Sequence, residues 1–471
     1  MIRLVTLLII LLVTGCSLHE PTKVELSVDP PVEYLENQAV DESGLSVERW
    51  WQVFNDEKLN LLMTELFDQN LELTQAIARL EQVEAVFKIT QSAQSPTLSG
   101  GANLGRSQQP GVVDDFIGNN QQLSLAAGYE VDLWGKLASQ SQAAELELTA
   151  SRQDVQTLYL GLSARLTDLY FLAVEQRAQL ALTGQSILSF ADTVSRVENR
   201  YNLGLVPAVD MYQARVNLSG AKAARYLFEA ALAEVEHAIA VLVGRYPERS
   251  PDDSLQKLPD PPGLFEAGIP ADLISQRPDL VAALRRVEAA DARVAAAIAD
   301  RFPSISLSGG YGSLRQDVTA GLIKGEFWSL LGNLALPIID GGRRRAEVER
   351  KEAALREAVA GYQQKVLSAF QEVEDALVNN VATQQRVDYL AETAMATQAT
   401  LRLTTERYLA GITDYLPVLT AQRTFFDVNS RLLAAQRQLL ADRISLARSL
   451  GGSWMQDKMN ARLQIAKDKE Q

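Results

Sequence analysis

The 471-residue chain contains one cysteine, Cys16, and two histidines, His19 and His237. Disulfides within the chain and multi-His metal clusters therefore lack the residues they need, and a Cys/His nucleophilic pair would have to use Cys16, at the N-terminal edge of the chain. No apolar run beyond the N-terminus approaches the roughly twenty residues of a membrane helix, so any crossing must use strands. Positive charge is short: 45 Lys and Arg stand against 59 Asp and Glu, a formal charge of −14. That balance disfavours nucleic acid and anionic bilayer surfaces. Proline is missing between Gly135 and Pro207, and again between Pro337 and Pro417. Both stretches can therefore be uninterrupted helix.

What is present begins with "MIRLVTLLIILLVTGCSLHE". Arg3 followed by the apolar run Leu4 to Val13 has the build of a secretory signal, predicting a signal peptide over residues 1–15. Its removal takes away Arg3 and moves the formal charge from −14 to −15. Small residues before Cys16 resemble a bacterial lipobox, which implies cleavage before Cys16 and lipidation of its thiol. Ser17 after it looks like a signal for outer-membrane sorting.

The sequence also repeats itself. "NRYNLGLVPAVDMYQAR" at 199–215 is matched by "ERYLAGITDYLPVLTAQ" at 406–422, and adding 207 maps Arg200, Tyr201, Gly204 and Ala214 onto Arg407, Tyr408, Gly411 and Ala421. The same offset carries Gln69 to Gln276, Pro96 to Pro303, Gly135 to Gly342 and Gly244 to Gly451. The chain thus reads as two copies, 69–244 and 276–451, far longer than a solenoid unit. An N-terminal segment, 16–68, precedes them, a proline-rich linker, 245–275, joins them, and a tail, 452–471, follows.

Within each copy two periodicities alternate. Val155, Leu158, Leu162, Leu166 and Leu169 recur at helical steps, as do Val366, Phe370, Val373, Leu377 and Val381. From 136 to 203 such a helix reaches about 100 Å at 1.5 Å per residue. It turns at Gly204 or Gly411 and returns as 207–243 or 414–450, one long hairpin per copy. Upstream, residues 122–133, 303–312 and 328–338 alternate apolar with small or polar side chains, and 97–106 is a Gly-rich counterpart. These read as four strands of about ten residues, the length that spans a bilayer when tilted. Residues 107–120 and 315–325 read as polar loops between them. Four strands cannot close a barrel, so the chain must oligomerise, and three copies would supply twelve.

Several motifs together resemble the TolC-like outer-membrane factor family, on its lipoprotein branch that serves efflux pumps. They are the lipobox to Cys16, "WWQVFND" at 50–56, "YEVDLWGK" at 129–136, "SQRPDLVAALRRVEAADARVAAAIADRFPSISLSGG" at 275–310, "LPIIDGGRRR" at 336–345 and the two Arg-Tyr-x-x-Gly turns. The resemblance implies a mixed α+β membrane protein: a homotrimer whose twelve-stranded outer-membrane barrel continues into a long periplasmic α-helical barrel. It implies an exit duct for small molecules such as drugs. Partners would be a periplasmic membrane-fusion adaptor, an inner-membrane transporter of the RND or another type, and outer-membrane lipid. No cofactor and no enzymatic activity are expected. Gly204, Leu205, Val206, Gly411, Ile412 and Thr413 would form the adaptor-docking tips. For the pore gate it points to Asp210 accepting a hydrogen bond from Tyr408, and to a ring at Leu416 with Arg423 nearby. The acidic residue common at the position of Thr420 is absent, so Asp414 would supply negative charge. A protein-secretion duct and a lipid-tethered coiled-coil scaffold without a pore are the alternatives, the second opposed by the alternating strands.

Overall fold

The computed structural model describes residues 19–22, 31, 33–35, 49–109, 116–247, 257–265, 270–318 and 321–451. The signal peptide, Cys16 and the tail after 451 lie outside the described residues. A short 3-10 helix, Trp50–Phe54, leads into α1 (Glu57–Gln69), α2 (Leu71–Ser92), β1 (Thr97–Gln109), β2 (Phe116–Val131), α3 (Lys136–Asn202) and α4 (Ala208–Leu242). Then follow α5 (Pro270–Gln276), α6 (Pro278–Ala299), β3 (Ser304–Val318), β4 (Gly321–Ala335), α7 (Arg343–Leu409) and α8 (Tyr415–Leu450). None of the described helices is long and apolar enough to cross a membrane. The chain divides into two compact units.

One unit takes in Ala78–Gln153 and Val281–Lys365 with residues 19–22. Its centre is an antiparallel sheet in the order β1-β2-β3-β4, with one edge of β1 and one of β4 unpaired within the chain. The pairing Leu125↔Tyr311 and Tyr311↔Trp328 puts the apolar sets of neighbouring strands on one face. On the other face, Ser124 of β2 shares a row with Gly312 of β3. The strands run 13 to 16 residues and so exceed the expected ten. Residues 107–109, 116–120, 315–318 and 321–325, read above as loop, are strand. The ladder is made by backbone groups, so polar side chains do not end it. At the other end β4 stops at Ala335, leaving Leu336 and Ile338 outside the strand because Pro337 has no N–H to donate.

Three of the sequence motifs meet below the sheet in this unit. Asp132 caps the start of α3, accepting from Leu137 N at 3.0 Å and Ala138 N at 2.7 Å. Asp340 accepts from Gly342 N and Arg344 N at the start of α7. Asp300 then binds Lys136 at 2.9 Å and Arg344 at 3.2 Å, tying together the heads of both long helices. His19 and Thr22 both contact Asp291 Oδ1 on α6, at 2.9 and 2.7 Å.

The other unit takes in Asp154–Leu280, the chain from Val366 onward and the described residues between 31 and 77. Here "WWQVFND" becomes an aromatic core. Phe54 packs on Phe171 with centroids 4.8 Å apart, and Asp56 caps α1 while accepting the Tyr170 hydroxyl at 2.7 Å. Arg177 and Glu236, both buried, pair at 2.8 Å between α3 and α4. Between α7 and α8, Arg443 donates to Asn380 at 2.7 Å.

The bases of the two hairpins are fastened at positions 207 apart by different chemistry. Asn70 donates to the carbonyl of Leu242 at 2.7 Å, and Arg277 donates to that of Ser449 at 3.2 Å. Gly244 and Gly451 follow with φ of 88° and 85°. A Cβ at Gly244 would sit 2.6 Å from the Gln69 carbonyl oxygen, and one at Gly451 would sit 3.1 Å from that of Gln276.

Glu175 is buried on α3, and that burial pushes its carboxyl up, opposed by a hydrogen bond with Gln179 and the charge of Arg437. A carboxyl raised on folding contributes stability below its unfolded range and loses it as pH rises through the folded value. Glu175→Gln should therefore raise the thermal midpoint at pH 7, with the gain vanishing in acid. Equal midpoints for both proteins at every pH would refute the assignment.

Candidate functional site

Each long helix ends in the same hydrogen-bonded reversal. In the first, Gly204 N donates to Tyr201 O and Leu205 N to Arg200 O, both at 2.9 Å. In the second, Gly411 N donates to Tyr408 O at 3.0 Å and Ile412 N to Arg407 O at 2.9 Å. This is a Schellman cap, which needs a left-handed residue just past the helix. Gly204 and Gly411 supply it at φ 70° and 72°.

Beyond the glycines the two tips diverge. The return helix α4 starts from Pro207 with Asp210 in its first turn, whereas α8 starts from Asp414 with Pro417 in its first turn. Proline is tolerated in either place because first-turn N–H groups have no intrahelical partner. Leu205 and Ile412 occupy the position that usually folds back onto its own helix. Here they stand out, 62% and 65% exposed. Val206, expected on the same outer surface, is instead partly buried against the cluster beneath, and Thr413 is half-buried.

That cluster consists of Val194, Val197, Ala214, Tyr408, Tyr415, Val418 and Leu419. It joins residues from both hairpins. The Tyr408 and Tyr415 rings lie 5.8 Å apart, and neither hydroxyl has a hydrogen-bond partner. The expected bond from Tyr408 to Asp210 is therefore not made within the chain. Tyr408 is drawn into the apolar cluster, while Asp210 sits half-exposed at the start of α4. Asp210 still acts on both rings through its field. Burial, then Tyr408 and Asp210, push the Tyr415 hydroxyl up to about 12. Burial raises that of Tyr408 too, with Arg200 opposing and Asp210 adding. The Asp210 carboxyl is itself raised, by burial and then by the negative charge of Asp414.

Arg200 adds a polar contact between the tips. Its guanidinium stacks 4.7 Å from the Tyr408 ring centroid and donates to the Tyr408 carbonyl at 3.2 Å. A cation is favoured there, because the last carbonyls of a helix carry partial negative charge. Sequence reasoning saw Arg200 only as half of a repeated turn. Its counterpart Arg407 is exposed, and that difference is invisible in two identical motifs.

Leu416, Thr420 and Arg423 are exposed on α8. Leu416 and Thr420 line a groove of about 510 Å³ with Thr397, Thr400 and Thr404 of α7. The hydroxyls of Thr397, Thr400, Thr404 and Thr420 donate to carbonyls of their own helices at 2.8–3.0 Å. Their methyl groups are left to form the surface. Among the described residues no cluster of His, Cys, Asp and Glu could hold a metal ion.

A family model described as "Outer membrane efflux protein" matches residues 62–245 and 269–452. The chain is 29% identical over 409 residues to the solvent efflux pump outer membrane protein SrpC of Pseudomonas putida, covering 86% of this chain and 87% of that one. It is 27% identical over 470 residues to the cation efflux system protein CusC of Escherichia coli, covering 96% and 99%. Among solved structures, the outer-membrane channel OprN superposes with a TM-score of 0.84 at 27% identity, covering 93% of this chain and all of that one.

Proposed function

The chain belongs to the outer membrane efflux protein family, and from that premise we propose how this outer-membrane efflux channel assembles and docks. Three copies join β1 of one sheet to β4 of the next, closing a twelve-stranded barrel. The unpaired edges support this, because open edges are not tolerated in lipid. The hairpin tips dock a periplasmic adaptor, which links the duct to an inner-membrane transporter. The observation that carries the reading is the pair of equivalent caps presenting Leu205 and Ile412 to solvent. Apolar side chains exposed at a polar rim mark contact sites for a partner. Asp210, Asp414, Leu416 and Arg423 lie around those tips and would shape the aperture. Cys16 would carry the acyl anchor.

The exported solutes are small molecules such as drugs. Two similar chains are named for such different cargo as solvents and cations. Substrate choice then rests with the transporter rather than with this duct.

The test separates assembly from docking. Leu205→Glu combined with Ile412→Glu should leave the trimer mass unchanged by native mass spectrometry. Drug resistance in cells carrying the matching adaptor should fall by roughly tenfold or more, as expected for central apolar anchors. Unchanged resistance would sink the docking surface, and a monomer from the parent protein would sink the barrel.

A further inference from the structure

The register of the sheet sets its apolar face in rows. One row holds Leu125, Tyr311 and Trp328. Two rows nearer the β3–β4 turn, the same face holds Leu104, Gln121, Arg315 and Lys324. Arg315 and Lys324 are direct cross-strand partners. Like charges placed opposite one another across two strands are destabilising. Of the nearby acids, Asp317 lies within the field of Arg315, but the hydrogen bonds of both acids go elsewhere. Asp317 accepts two bonds from Asn119, at 3.1 and 2.8 Å, and Glu326 accepts the Tyr311 hydroxyl at 2.9 Å. The two cations line a depression of about 570 Å³ together with Leu104, Leu123 and Glu326.

We propose that Arg315 and Lys324 hold the phosphate of an outer-leaflet lipid whose acyl chains lie over Leu125, Tyr311 and Trp328. The placement follows from three facts. The face is the apolar one, which meets lipid in an outer-membrane barrel. The cations lie at the strand ends away from the long helices, which continue from Val131 and Ala335. An Arg fork beside an ammonium suits a phosphate dianion, and an anion between the two turns their repulsion into attraction. The site rests on the barrel reading but not on the adaptor or the gate.

The experiment uses detergent-purified full-length protein in native mass spectrometry. The probes are a bis-phosphorylated glycolipid, its dephosphorylated counterpart and inorganic phosphate. The protein should retain the phosphorylated lipid, not the dephosphorylated one, and millimolar inorganic phosphate should not displace it. Arg315→Gln and Lys324→Glu should each cut retention at least about tenfold, the loss of one charge-assisted contact. Lys324→Glu also places opposite charges across the strands, so it should melt at or above the parent temperature and still conduct in planar bilayers. Equal retention of the dephosphorylated lipid, or unchanged retention by both variants, would overturn the site. Displacement by inorganic phosphate would identify a free-anion site and overturn the lipid assignment. A lower melting point for Lys324→Glu would show that the cations do not oppose each other, and would overturn it equally.

Discussion

Replacing Arg277 with alanine should destabilise the protein by about 3 kcal/mol, the low end of the cost of breaking a buried ion pair, because its partners Asp279 and Glu372 are 19% and 45% exposed. The Arg277 side chain is only 10% exposed. It makes a two-pronged contact with Asp279, at 3.0 and 2.9 Å, and reaches Glu372 at 2.8 Å. It also holds the Ser449 carbonyl at the base of the second hairpin. Alanine strips that partner from two carboxylates at once. Arg277→Met keeps the stem and should lose less, and Arg277→Lys should fall between, because an ammonium cannot reproduce the fork. The equivalent Asn70→Ala removes a neutral bond and a helix cap, a loss of about 1–2 kcal/mol. The order Arg277→Ala, then Asn70→Ala, in thermal melting is the check. Similar small losses for both would mean water replaces the guanidinium.

The second large effect is expected at the tips. Arg200→Ala removes both a stacked cation, about 0.5–2 kcal/mol, and a charged hydrogen bond, about 1.5–3 kcal/mol. If the tips part when the channel opens, a loss of even ~1.4 kcal/mol per chain shifts the closed–open ratio tenfold. Single-channel conductance in planar bilayers should rise, and cells should become sensitive to large antibiotics such as vancomycin. Arg200→Lys should recover only part of the closure, lacking the planar face. Tyr408→Phe should change little, because the hydroxyl it removes bonds to nothing in the chain. A larger effect from Tyr408→Phe than from Arg200→Ala would return the latch to the phenol.

Much of this was readable in the sequence, for identifiable reasons. A helix without proline over some seventy residues has few alternatives, and α3 and α7 each run 67 residues. The left-handed glycines were readable because only glycine adopts that backbone cheaply. Alternation located the strands but not their ends, since Gln316 and Lys324 continue a ladder built from backbone groups. Burial at the tips was the hardest to foresee. Val206 and Leu205 are adjacent apolar residues, and the buried cluster beneath the tips takes in only Val206. Arg200 and Arg407 show the same limit. The same Arg-Tyr-x-x-Gly pattern gave one a ring to stack on and left the other in water.

The equal length of α3 and α7 constrains how such a chain can change over generations. Their ends meet through Arg200 and Tyr408, so each helix is measured against the other. Deleting one residue from either would shorten it by about 1.5 Å and turn its end by about 100°. Arg200 would then point away from the ring, and the cluster beneath would lose its match. A matching deletion at the corresponding place in the other copy should restore the contact, which paired deletions compared by thermal melting would check. Substitutions can accumulate singly, as the exchange of Asn70 for Arg277 illustrates. Length is expected to change in pairs.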